Sequence, residues 1–107
     1  RWNVPGAEQP QAVLQRMLMK LTARRGQFPF MENFGSRLWT LDRLRPADRQ
    51  AAAEQYVLEA LRDEPGLMVE QVTLAENGGK SSLTVNAVKD ERRLTAEVAL
   101  GQEGVTM

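Results

Sequence analysis

The side chains able to do chemistry in this sequence are carboxylates, ammonium groups, guanidiniums and hydroxyls, because its 107 residues include neither histidine nor cysteine. That removes disulfides, thiolate zinc sites, cysteine nucleophiles and the histidine-dependent serine triads. An enzyme built here would rest on paired carboxylates, as in glycoside hydrolysis, where one acid must hold its proton inside a cleft. The candidates are Glu32, Asp42, Asp63, Glu64 and Glu70. None sits in an apolar stretch that would raise its pKa, so each reads as a solvated or capping group. No phosphate-binding glycine loop is present, since Gly78-Gly79 lies where a hairpin turn is expected, and no EF-hand spacing occurs. No catalytic residue, metal ligand or cofactor is therefore assigned.

The basic residues are more suggestive. Arg16, Lys20 and Arg24 follow at steps of four, and Arg25 adjoins them, so they line one flank of a helix. Residues 1–54 carry nine Lys/Arg and five Asp/Glu, and residues 55–107 the reverse, five and nine. A subunit polarised in this way docks on neighbours in one orientation. The zero net charge argues against a dedicated nucleic-acid binder. A salt-sensitive adaptor using Arg16, Lys20, Arg24 and Arg25 stays open as an alternative, as does a carboxylate-based peptidoglycan hydrolase. The longest apolar run is three residues, too short for a membrane span.

The elements that must position these groups are legible in the periodicity. Residues 1–9 read as an arm, residues 10–101 as one domain and residues 102–107 as a mobile tail. Pro10 suits the first turn of a helix whose apolar stripe is Val13, Leu14, Met17, Leu18 and Leu21, with Gly26 as its stop. Residues 27–36 hold three Phe, one Pro and one Gly, and are expected to be irregular, with Phe28, Phe30, Phe34 and Trp39 buried as anchors. Gly35 is expected at positive φ. Ser36 caps a short helix through Leu44 with Leu38 and Leu41 inward. Pro46 opens a second long helix to about Asp63, burying Ala53, Tyr56, Val57, Ala60 and Leu61, and Pro65 ends it. The period then changes to two: Leu67–Ala75, Ser81–Val88 and Arg93–Leu100 are strands separated by hairpin turns, and the mixed faces of the first predict a bulge. The whole is a two-layer α+β domain, helices on a C-terminal antiparallel meander of three or four strands.

Leu21, Thr22 and Gly26, then Phe34, Gly35, Ser36 and Leu38, then Glu64-Pro65 directly after the long helix, stand in an order that resembles one known family. The chain is similar, over about residues 10–100, to the baseplate wedge or sheath-initiator proteins of contractile phage tails. That family includes W-like baseplate proteins and the corresponding type VI secretion baseplate subunit. The departure is Gly66, where the family's Glu-Pro-Arg motif carries Arg. The resemblance implies a structural, non-enzymatic subunit that docks on other baseplate wedge proteins through Glu64 and Pro65 and templates sheath assembly. Some members bear a lysozyme label, but no convincing catalytic pair accompanies it here. Sheath protein is an implied partner; a small-molecule substrate, nucleic acid and a membrane are not. The implied location is the bacterial cytoplasm during assembly and the tail baseplate of a finished virion. In a sequential meander the outer strands are the first and third, and the Pro-free strand Arg93–Leu100 is the better edge for an added strand, with Arg93, Thr95 and Glu97 along it. Ala96→Pro is expected to block addition if that N–H points outward.

Overall fold

The computed structural model describes residues 9–100 of the chain. Residues 1–8 of the expected arm and the expected tail lie outside them. The order is α1 (Pro10–Thr22), a short 3-10 helix (Leu38–Arg43), α2 (Pro46–Ala60), then β1 (Met68–Asn77), β2 (Lys80–Lys89) and β3 (Arg92–Leu100). The strands form an antiparallel sheet in the order β1-β2-β3, as the two-period pattern predicts. The fold is α+β in two layers, with helices packed on one face of the sheet.

Turn chemistry sets the register. Asn77 pairs with Lys80 across Gly78-Gly79, whose φ values of 61° and 83° suit a two-residue hairpin turn. Lys89 pairs with Arg92 across Asp90-Glu91, which take φ values of 53° and 65° without the help of glycine. Gly79-Lys80-Ser81 leads into a strand, whereas a phosphate loop leads into a helix. The expected bulge in β1 falls between Val69 and Gln71 and lifts Glu70 out of register.

The face toward the helices is lined by Val72, Leu83, Val85, Ala87, Leu94, Ala96 and Val98, all buried. Against it lie Val13, Met17 and Leu21 of α1 and Ala53, Val57 and Ala60 of α2. The alanines let backbones approach closely where a larger side chain would hold the layers apart. α1 packs on β3 and α2 on β1.

Both long helices end three residues before the sequence expectation. α1 stops at Thr22 because Ala23 turns extended and residues 23–25 pair with the segment around Ser36. Ser36 N–H donates to Ala23 C=O at 2.8 Å, and Arg25 N–H to Ser36 C=O at 2.9 Å. Gly26 therefore serves the following turn, at φ +86°, and not the helix end. α2 stops at Ala60, well before Pro65, because Leu61 and Glu64 both turn back into the protein.

The aromatic anchors are also corrected. Phe30 is 98% exposed, Phe28 and Trp39 are exposed, and Phe34 is half-buried, edge-to-face against Phe28 with centroids 6.0 Å apart. The segment is tied down by backbone and hydroxyl hydrogen bonds, so its rings are not needed in the core.

Candidate functional site

The motif residues assemble into a clamp at the end of α1. Ser36 is buried; its Oγ donates to Leu21 C=O at 2.7 Å and accepts from Leu38 N–H at 3.2 Å. One hydroxyl thus satisfies a carbonyl left free at the end of α1 and an amide left free at the start of the 3-10 helix. Arg37, not Ser36, is the formal cap of that helix. Gly35 lies at φ +102°, as expected, and a Cβ there would stand 2.7 Å from Ala23 C=O and 2.9 Å from the Arg24 carbonyl carbon. Leu21 and Leu38 fill the core beside it, and Thr22 Oγ1 donates to Leu18 C=O at 2.8 Å. Leu21, Gly35, Ser36 and Leu38 therefore carry the fold here, while Thr22 is exposed and Phe34 half-buried at its rim.

A second cluster joins α1 to the turn after α2. Glu64, whose side chain is 2% exposed, accepts from Arg16 Nε at 3.0 Å, Arg16 Nη2 at 2.8 Å and Lys20 Nζ at 2.6 Å. Lys20 also reaches Asp63 Oδ1 at 2.9 Å. The Arg16 hydrogen bonds chiefly lower the Glu64 pKa, to about 2; burial opposes this, and Lys20 adds to it. Burial also opposes the charge on Lys20, but the hydrogen bonds to Asp63 and Glu64 outweigh it and raise its pKa. Glu64 is thus neither solvated nor displayed to a partner: it locks its own chain. Pro65 is exposed and leads Gly66, at φ +74°, through a turn closed by Leu67 N–H to Glu64 C=O at 3.3 Å. Pro followed by a residue at positive φ is a type II turn, and glycine is the residue that adopts it without strain. Gly66 at the position of the family's Arg thus has a local reason.

The basic row is dispersed. Arg16 and Lys20 are held by Glu64. Arg25 donates to Glu59 C=O at 3.2 Å, while Arg24 lies over the Trp39 ring at 4.8 Å with Arg43 at 4.9 Å. Arg24, Trp39 and Arg43 line a groove of about 670 Å³ together with Asp42, Arg49, Glu76 and Lys80. Asp42 and Glu76 both line that groove, but Asp42 is exposed, and Glu76 is exposed and bound by Arg49 at 2.7 Å. Glu32 and Glu70 are exposed on other parts of the surface. Among the described residues no cluster of three acidic side chains is placed to hold a metal ion, and no helix is long and apolar enough to cross a membrane.

The sheet edges complete the picture. A two-residue hairpin closes on a hydrogen-bonded pair, and bonded pairs then alternate along the ladder. Counting from Lys89↔Arg92, Ala87↔Leu94, Val85↔Ala96 and Leu83↔Val98 are bonded pairs. The N–H and C=O groups of Arg93, Thr95, Glu97 and Ala99 therefore point outward from β3. Ala96 N–H is used inside the sheet, so Ala96→Pro would damage the fold and is not a test of the edge. Arg93 pairs with Glu70 at 3.1 Å and Thr95 Oγ1 donates to Asn86 Oδ1 at 2.8 Å, both across the exposed face. Among the described residues, no side chain bonds the outward backbone of β3. Beside that edge runs the outer flank of α1. Arg16 and Lys20 mark the flank that turns to the end of α2, so Leu14 and Leu18, half-buried, occupy the flank facing away over β3. The alternation of strand residues marked this edge in the sequence; the apolar overhang above it was not legible there.

No protein-family model matches the chain, and no curated protein does. A solved structure, that of a candidate tail lysozyme from Geobacter sulfurreducens, is similar in fold. Its TM-score is 0.66 at 17% identity, covering 94% of this chain and 99% of that one.

Proposed function

We propose that the chain is a structural subunit of the baseplate of a phage or prophage-derived contractile tail, docking on neighbouring wedge proteins and templating sheath assembly by strand addition. The observation that carries this reading is the β3 edge, whose outward backbone no described residue pairs with, beside the Leu14/Leu18 flank of α1. An extended sheath segment laid along β3 bonds the outward groups of Arg93, Thr95, Glu97 and Ala99. Its alternate side chains then fall beside Leu94, Ala96 and Val98 and under α1, which favours a segment apolar at every second residue. The fold shared with a candidate tail lysozyme supports a tail setting. On this reading the protein works in the cytoplasm of the bacterial host during assembly and ends in the virion baseplate.

The test is co-assembly with the cognate sheath protein. Glu97→Pro removes an outward N–H without touching the ladder, and is expected to abolish sheath nucleation while the chain stays folded. Normal nucleation by the folded variant would overturn the reading.

A second reading is a carboxylate hydrolase acting on peptidoglycan. The observations favouring it are the name given to the similar structure and the presence of Asp42 and Glu76 in one groove. Against it stand the exposure of both groups and the Arg49 pairing of Glu76, where a general acid needs an enclosed, proton-retaining setting. We expect no turnover of cell-wall substrate; turnover lost on Asp42→Asn or Glu76→Gln would establish the hydrolase instead.

A further inference from the structure

We infer that Gln50 closes the β1 edge of the sheet and thereby confines strand pairing to β3. The consequence for assembly rests on the strand-addition reading above; the closure itself rests on hydrogen bonds within this chain.

Counting from Asn77↔Lys80, Ala75↔Ser82 and Thr73↔Thr84 are bonded pairs, so Val72, Leu74 and Glu76 carry the outward groups of β1. Two of those groups are taken. Gln50 Nε2 donates to Val72 C=O at 2.7 Å, and Leu74 N–H donates to Gln50 Oε1 at 3.0 Å. The single planar amide thus occupies the two positions that the N–H and C=O of one residue in a parallel neighbour, opposite Thr73, would occupy. It acts as a one-residue strand, supplied by α2. Its Nε2 also bonds Glu54 Oε2 at 2.8 Å, one helical turn further on, which holds the amide in place. Arg49, the preceding residue, binds Glu76 at 2.7 Å and covers the hairpin end of the same edge. The bulge between Val69 and Gln71 breaks the pairing pattern at the other end.

The edge needs closing because it is otherwise a good acceptor. A groove of about 440 Å³ runs beside it, lined by Leu58 and Val69 as well as by Gln50 and the strand from Glu70 to Thr73. Leu58 is exposed there. An open edge with an apolar wall invites pairing with another copy of the chain. A subunit with two open edges would also add strands on both sides, and a template with one polarity needs only one.

The absence of cysteine supplies a clean test. Thr73 lies on the exposed face of β1 and Thr95 on that of β3, so Thr73→Cys and Thr95→Cys report approach of a second copy to each edge through disulfide formation. In the Thr73→Cys chain, adding Gln50→Ala is expected to raise the rate of disulfide dimer formation at least tenfold. In the Thr95→Cys chain the same change is expected to leave it unaltered. Amide exchange at Leu74 should accelerate at least tenfold in Gln50→Ala, while exchange at Thr73, whose N–H lies in the ladder, stays unchanged. Alanine at this exposed helical position keeps the chain folded, and unchanged Thr73 exchange verifies it. Equal cross-linking with and without Gln50, together with unchanged exchange at Leu74, would overturn the inference. Neither readout contains sheath protein. Failure here alongside loss of nucleation in Glu97→Pro removes edge closure alone; success here alongside normal nucleation in Glu97→Pro removes the strand-addition reading alone.

Discussion

The two edges of this sheet begin with the same problem and receive opposite treatment. β1 and β3 each flank β2, and each presents outward N–H and C=O groups at alternate residues. On β1 a glutamine amide, an ion pair and a bulge occupy or distort that row. On β3 no described side chain bonds that row, and the charges of Arg93 and Glu97 stand beside it. The difference comes from the helices above. α2 brings Gln50 and Arg49 down to β1, whereas α1 sends its charged flank inward to Glu64 and leaves leucines over β3. An edge is thus open or closed according to which flank of the overlying helix reaches it.

Proline on the wrong residue of β3 has the largest expected effect. Ala96→Pro removes a ladder bond to Val85 and is expected to cost about 3 kcal/mol or more, enough to unfold much of a marginally stable domain. Urea unfolding of Ala96→Pro beside Glu97→Pro, which should lose only roughly 1 kcal/mol from backbone restriction, checks the assignment of inward and outward groups. Equal losses would mean that the parity along β3 is reversed.

Releasing α1 from α2 comes next. Glu64→Gln removes the charge that Arg16 and Lys20 share and is expected to cost about 2–4 kcal/mol, read from the shift in unfolding midpoint. The pH dependence has a definite sign. The Glu64 pKa falls from its usual 4.5 to about 2 on folding, so its contribution is complete above pH 4.5 and is lost as pH drops toward 2. The stability gap between the native chain and Glu64→Gln should therefore narrow across that window. A gap that is constant between pH 5 and pH 2 would show that the carboxylate is not held by the two cations.

The smallest effect is expected at the exposed face of β3. Arg93→Ala breaks the ion pair with Glu70, in which both side chains are substantially exposed, and should change stability by less than about 1 kcal/mol. If Arg93 guards the free edge against self-pairing, the variant should gain concentration-dependent association by sedimentation, and an unaltered monomer would assign that guarding to other residues.

Much of the fold was legible because local rules and the final structure agree. The alternation of Leu83, Val85 and Ala87 and of Leu94, Ala96 and Val98 marked strands within one or two residues of their true ends. The glycine pair, the proline at each helix start and the positive φ of Gly35 followed from backbone sterics. The helix ends were less legible. Nothing in the local sequence at Ala23 announces that the backbone will pair with Ser36, thirteen residues on. The aromatic residues misled for a related reason: Phe28, Phe30 and Trp39 have the composition of core anchors, but the hydroxyl of Ser36 and the backbone of Gly35 had already fixed that segment.

The candidate site divides in the same way. Sequence alone determined the elements, the hairpin turns, the outer strands and the absence of imidazole and thiol chemistry, since each depends on residue type, spacing or composition. Only the tertiary structure decided that Glu64 is an internal clasp for Arg16 and Lys20, forty-four to forty-eight residues away. It also decided that Gln50 lies against Val72 and Leu74, and that Leu14 and Leu18 lie half-buried on the flank of α1, the helix that packs on β3. Those facts depend on how two helices are rotated on a sheet, and that rotation is settled by packing over the whole core, which no local window of sequence contains.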